Sequence, residues 1–161
     1  MKTAGHGLKA VTAISRKSVS LVGFAFVDDT DIIDGAEDVN TSGERILARF
    51  QSAMDRWCGV LRATGGLIAP EKSVFYLIDF DWTGTDYTYR NVTNMPGNIT
   101  LLDKNGDRVP LKRYEVSKAE QSLGVWIAMD GNWKEQLRVM KEKAQHFTSQ
   151  ISTKKISKND A

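Results

Sequence analysis

Residues 18–33 read Ser18-Val19-Ser20-Leu21-Val22-Gly23-Phe24-Ala25-Phe26-Val27-Asp28-Asp29-Thr30-Asp31-Ile32-Ile33. β-Branched, aromatic and small residues fill the first ten positions, which predicts one buried strand over 18–27. Asp28-Asp29-Thr30-Asp31 then carries turn chemistry, and Ile32-Ile33 opens a return strand. The expected unit is a β-hairpin with acids at its tip. Adjacent aspartates at such a tip repel one another. A divalent cation such as magnesium, which prefers carboxylate and phosphate oxygens, relieves that repulsion directly. Asp31 and Asp34 read as turn and surface residues.

Downstream, Thr41 or Ser42 is placed to cap a helix running to about Ala63. Its apolar residues Ile46, Leu47, Phe50, Met54, Trp57, Cys58 and Leu61 recur at three- and four-residue steps and form one core-facing stripe. Gly65-Gly66 ends it. Cys58 lies on the stripe and reads as packing, not as a nucleophile. From Ser73 to Trp82 the pattern is β, with Thr83-Gly84-Thr85 turning into Tyr87-Thr88-Tyr89. Ile99–Leu102 is expected to pair with Val109–Tyr114 around Lys104-Asn105-Gly106-Asp107, since Asn-Gly is a strong hairpin-turn signal. Asp103, Asn105 and Asp107 suggest a calcium loop, but Arg108 stands where the EF-hand pattern needs glycine, so the segment reads as a turn. Ser122–Ala128 reads as a short strand. A last helix starts near Asn132, and Trp133, Leu137, Met140, Ala144, Phe147 and Ile151 alternate steps of four and three. Core packing is the expectation for that seam, with a dimerising coiled coil as the alternative.

Charge is uneven although the net value is only +2 over 161 residues. Lys2, Lys9, Arg16 and Lys17 precede any acid, and residues 21–44 hold Asp28, Asp29, Asp31, Asp34, Glu37, Asp38 and Glu44 with no base. An acidic centre between basic flanks suits a cation site beside a polyanion groove, or simply a solvated loop and a basic tail. Hydrophobic content of 41% and charged content of 26% fit one globular domain. One cysteine excludes an internal disulfide, and with only His6 and His146 beside it a zinc centre is not expected. No apolar run is long enough for a membrane span, and no signal peptide is read before Ser20. The three Asn-x-Ser/Thr matches at Asn40, Asn91 and Asn98 are then chance, and the expected setting is intracellular, in nucleus or cytoplasm.

Phe26-Val27-Asp28-Asp29 resembles the aromatic-x-Asp-Asp hairpin of the reverse-transcriptase palm, with Phe26 standing for the more frequent tyrosine. The order of later segments extends the resemblance. Thr64-Gly65-Gly66-Leu67-Ile68-Ala69-Pro70-Glu71-Lys72-Ser73 is similar to the next palm motif, in which a Gly-Leu segment leads to a Lys-Ser or Lys-Thr pair. Ser122-Leu123-Gly124-Val125 resembles the Leu-Gly hairpin that holds the primer end, a role that would fall to Leu123, Gly124 and Val125. The similarity is closest to retrotransposon, LINE-like enzymes and covers about residues 18–128. It implies an RNA-directed DNA polymerase that uses two magnesium (or manganese) ions, with an RNA template, a DNA primer and a dNTP as partners. Asp28 would be a direct metal ligand and Asp29 a ligand or close support. Lys72 would stabilise the leaving pyrophosphate, or else is a solvent-facing lysine after a turn.

The implied fold is α+β: an antiparallel palm-type sheet packed on one long helix, with a C-terminal helix. Residues 1–17 read as a basic N-terminal segment, 18–128 as palm, and 129–161 as the start of a thumb-like basic helix with a frayed tail that would touch the duplex backbone. A working palm needs another carboxylate from an earlier strand, and residues 1–27 contain no Asp or Glu. The chain is therefore expected to be an incomplete, inactive fragment whose exposed sheet edge favours self-association. The alternative is a non-catalytic remnant that binds nucleic acid or a partner. Asp29-Thr30-Asp31 breaks the Asp-Thr/Ser-Gly triplet of aspartic proteases. It meets the Asp-x-Asp pattern of aspartate-nucleophile phosphatases without an identifiable lysine context.

Overall fold

In the computed structural model, which describes residues 5–26, 29–36, 38 and 40–153, the longest helix starts from Ser42. The Ser42 hydroxyl accepts from the Arg45 amide at 3.4 Å, and α1 runs Gly43–Ala63. At its end the Gly66 amide donates to the Leu61 carbonyl at 2.8 Å and the Gly65 amide to that of Arg62 at 3.0 Å. Two paired bonds of this kind occupy carbonyls that a helix end would leave open, so α1 stops where the sequence indicates.

The chain gathers into two compact units, residues 1–115 and 116–161. In the first, Leu47, Met54 and Cys58 of α1 form one core with Phe75, Leu77, Met95, Ile99, Leu101 and Leu111. Each such side chain contributes about 1.5–3 kcal/mol by leaving water. The strands around this core are short. Leu8–Val11 (β1) pairs antiparallel with Ser18–Leu21 (β2), and Gly23–Phe26 (β3) with Asp29–Ile32 (β4). Val74–Tyr76 (β5) precedes the hairpin of Phe80–Thr83 (β6) and Asp86–Tyr89 (β7). Thr100–Leu102 (β8) pairs with Arg108–Pro110 (β9), and Lys112–Tyr114 (β10) lies parallel to β5.

Two expectations change in this unit. The single buried strand expected over 18–27 is two strands parted at Val22, and β2, which among the described residues pairs with β1 alone, is exposed at all four positions. The strand expected over Val109–Tyr114 is divided at Leu111, whose side chain enters the core and whose amide donates to the Ile99 carbonyl at 2.7 Å. Beyond it the chain joins β5, a partner 38 positions earlier in sequence (Val74 with Lys112). The fold is thus mixed α and β with small, mostly antiparallel ladders; among the described residues each sheet has two strands. Gln51 of α1 closes one open strand edge: its amide donates to the Thr100 carbonyl at 2.9 Å and accepts from the Thr100 amide at 2.8 Å. A side-chain amide thereby takes the place of a neighbouring strand.

The second unit holds Glu120–Ser122 (β11), Val125–Ile127 (β12) and the helix Lys134–Thr153 (α2). The strand expected over Ser122–Ala128 is instead a tight hairpin, because Leu123 (φ 48°) and Gly124 (φ 85°) both take the left-handed conformation of a two-residue turn. Gln136 of α2 accepts from the Trp126 amide at 2.9 Å and ties the helix to β12. The expected core packing of the α2 seam is not found: Trp133, Leu137, Met140, Phe147 and Ile151 are all exposed. The β11–β12 hairpin meets the helix beside the seam, around half-buried Gln136 and Val139. Among the described residues, no helix is long and apolar enough to cross a membrane.

Candidate functional site

The β3–β4 ladder sets Gly23 opposite Ile32, Phe24 opposite Asp31, Ala25 opposite Thr30 and Phe26 opposite Asp29. Gly23 is required by close approach: a Cβ there would stand 2.3 Å from the Asp31 carbonyl oxygen. The ladder continues one step further, with the Ile33 amide donating to the Val22 carbonyl at 2.8 Å. Asp29 is therefore the first residue of the return strand. Asp28, the other expected metal ligand, lies outside the described residues.

Strand alternation puts Asp31 on the same face as Asp29. Asp31, expected in the turn, is a strand residue. Its carboxyl is pushed above the ordinary aspartate value, first by desolvation and then by the charge of Asp29. Two carboxylates on one strand face would welcome a cation. They do not complete a metal site by themselves: among the described residues no group of three His, Cys, Asp or Glu side chains converges. Any ion held here would draw its remaining oxygens from elsewhere, and no reaction step is assigned to this chain alone.

Asp34, expected at the surface, is instead the most enclosed of the described acids of this region, with a side chain 1% exposed. It accepts from the Gly7 amide at 2.9 Å, the Gly35 amide at 3.0 Å and Arg49 Nη2 at 3.2 Å, and His6 Nδ1 lies 3.2 Å away. Burial acts to raise this carboxyl, but those hydrogen bonds together hold it below the ordinary value. Arg49 also donates to the Gly5 carbonyl at 3.0 Å. The cluster ties the chain before β1 to α1 directly behind the acidic hairpin. No local motif points to it, since its members are spread from residue 6 to residue 49.

Lys72 closes a short 3-10 turn, Pro70–Lys72, with its amide donating to the Ala69 carbonyl at 3.1 Å. Its side chain is exposed and enters no ion pair with another described residue. The preceding Gly-Leu segment, with Glu71, Asp103 and Lys104, borders an open depression of about 400 Å³. The Asp103 carboxylate is occupied, accepting from the Asn105 amide at 2.8 Å, the Asp107 amide at 2.9 Å and Asn105 Nδ2 at 3.2 Å. Filled by three N–H donors, it organises a turn, as the missing glycine at Arg108 indicates. Leu123, Gly124 and Val125 form the tip and return of the β11–β12 hairpin in the second unit. Asp29 and Lys72 thus belong to one unit and the Leu-Gly hairpin to the other.

One feature without a role in the sequence reading is the aromatic face of β6–β7. Phe80, Trp82, Tyr87 and Tyr89 lie on one side, with ring centroids 5.4–5.9 Å apart in edge-to-face or tilted pairs. At the base of the hairpin Arg90 joins Asp79 at 3.2 Å and Asp81. No protein-family model, no curated protein and no solved structure matches this chain.

Proposed function

We propose that this chain is the C-terminal part of the palm of an RNA-directed DNA polymerase of the retrotransposon, LINE-like reverse-transcriptase kind, with its ladders as parts of a palm-type sheet. The observation that carries the reading is the β3–β4 hairpin, in which Asp29 opens the return strand opposite Phe26 and a capped helix follows. The order of the remaining segments supports it: the Gly-Leu stretch leading to Lys72, then the Leu123-Gly124 hairpin. In the intact enzyme Asp28 and Asp29 would contribute carboxylates to magnesium (or manganese), which supplies activation of the primer hydroxyl and neutralises triphosphate charge. Asp31, on the same strand face as Asp29, would add negative field at that site. Lys72 would act on the leaving pyrophosphate, and Leu123, Gly124 and Val125 on the primer end.

The chain by itself is inactive in this reading, because residues 1–27 bring no acid to complete the site. Primer extension with an RNA template, a DNA primer, dNTPs and magnesium or manganese is expected to yield no product with this chain alone. Synthesis that Asp28→Ala abolishes would overturn the inactive-fragment part of the proposal. The site itself is tested by titrating Mn²⁺ and following backbone NMR resonances. Paramagnetic broadening is expected to centre on residues 25–31 and to weaken in Asp28→Asn. Broadening spread evenly over the surface acids would remove the metal assignment. The second reading, a non-catalytic nucleic-acid-binding module, is favoured by the exposed lysines of α2, Lys134, Lys141 and Lys143.

A further inference from the structure

The α2 seam is apolar, regular and uncovered. Trp133, Leu137, Met140, Ala144, Phe147 and Ile151 follow steps of four, three, four, three and four. The five large ones are 43–66% exposed. A 3.5-residue period of this kind presents a straight seam to a second helix, whereas a single core-facing helix drifts at 3.6. The seam is bounded in sequence, because its next two positions, 154 and 158, are lysines. Away from the seam Arg138 bridges Glu135 and Glu142, each at 2.5 Å, and beside it Gln136 holds β12. These contacts leave the apolar seam uncovered.

We propose that this seam is a homodimer interface, in which α2 of two copies forms a parallel, in-register coiled coil. The flanking charges select both the occupant and the direction. With Leu137, Ala144 and Ile151 at one set of seam positions and Trp133, Met140 and Phe147 at the other, the flanks are Gln136, Lys143 and Gln150 on one side and Lys134, Lys141 and Thr148 on the other. In a parallel pair Gln136 faces Lys141 of the second copy and Lys143 faces Thr148, so no like charges meet. In an antiparallel pair centred on the same seam, Lys141 would face Lys141 and Lys143 would face Lys143, two repulsive contacts. Small Ala144 sits between the large Met140 and Phe147, which leaves room for them at the neighbouring layers.

Sedimentation equilibrium of the full chain should show a monomer–dimer equilibrium. Met140→Glu, on an exposed site where it cannot disturb a core, should shift the chain to monomer with unchanged far-UV ellipticity at low concentration. Ala144→Cys should cross-link under mild oxidation, since like seam residues meet in a parallel coil, while Gln145→Cys on the outer side should not. The native Cys58 is buried and serves as the internal control. A monomer at every concentration, including one that binds anionic vesicles or duplex RNA through α2, overturns the proposal. So does a dimer that survives Met140→Glu, which would put association at a strand edge. Failure of Ala144→Cys to cross-link an intact dimer overturns the parallel register.

Discussion

Asp31 and Asp34 stand three positions apart, and the fold moves their carboxyls in opposite directions. Asp34 is held below the ordinary 3.8. The folded state then binds fewer protons than the unfolded state, so this group stabilises the fold above that pH and the contribution is lost as pH falls through the folded value. Asp34→Asn should cost about 3 kcal/mol near neutrality, since it removes the buried negative charge on which Arg49, His6 and the Gly7 and Gly35 amides converge. It should also flatten the acid limb of a urea midpoint measured against pH; an unchanged limb would remove Asp34 from the account. Asp31 is raised above 3.8. Its ionised form is disfavoured in the fold, so stability is present below the ordinary value and is lost as pH rises through the folded one. Asp31→Asn should therefore raise the thermal midpoint at pH 7 and make no difference below that window. A neutral-pH loss of stability would mean that the carboxylate makes a favourable contact instead.

At the scale of elements, the hairpins differ in what holds them. The β11–β12 turn forces Leu123 into a left-handed backbone, φ 48°, which costs a non-glycine residue about 1–2 kcal/mol. Asparagine tolerates that conformation and precedes glycine in the favoured form of this turn. Leu123→Asn should accordingly raise the unfolding free energy, measured by denaturant titration, by about 0.5–1 kcal/mol. A decrease would show that the leucine side chain, 54% exposed, contributes something to the hairpin beyond its backbone. The β6–β7 hairpin is held by its own aromatic face and by Arg90, whose guanidinium is kept firmly charged by Asp81 and Asp79. That face was not singled out by the sequence reading. An alternation of Phe80 and Trp82 with Tyr87 and Tyr89 across a glycine turn is a signal that could have found it.

At the scale of the whole molecule, protection should follow the one core of the first unit. Amides of α1 between Leu47 and Cys58, and those of β8, should exchange slowest in hydrogen–deuterium exchange, since Ile99 and Leu101 are fully enclosed and α1 brings Leu47, Ala53, Met54 and Cys58 to the buried core. The β1–β2 ladder is exposed along its length and should exchange early. Equal protection across α1 and β1–β2 would mean a larger core than these residues form. Residues 116–161 should follow their own profile, with the N-terminal turns of α2, held by Gln136, slower than the turns beyond Ala144.

Local sequence accounts for both ends of α1, the turn at Asn105-Gly106, the acidic hairpin with Asp29 at its end, and the period of the α2 seam. Each rests on hydrogen bonds or side-chain spacing within a few residues, such as Ser42 to Arg45 or Gly66 to Leu61, so a short window contains the whole cause. Other features follow from packing between distant segments. The breaks at Val22 and Leu111, the parallel pairing of β10 with β5, the burial of Asp34 against His6 and Arg49, and the exposure of the α2 seam all depend on what arrives from elsewhere in the chain. An aspartate in a short acidic run looks alike in sequence whether it faces water, another aspartate or an arginine. Its partner is chosen by packing between distant segments, which local propensity does not encode.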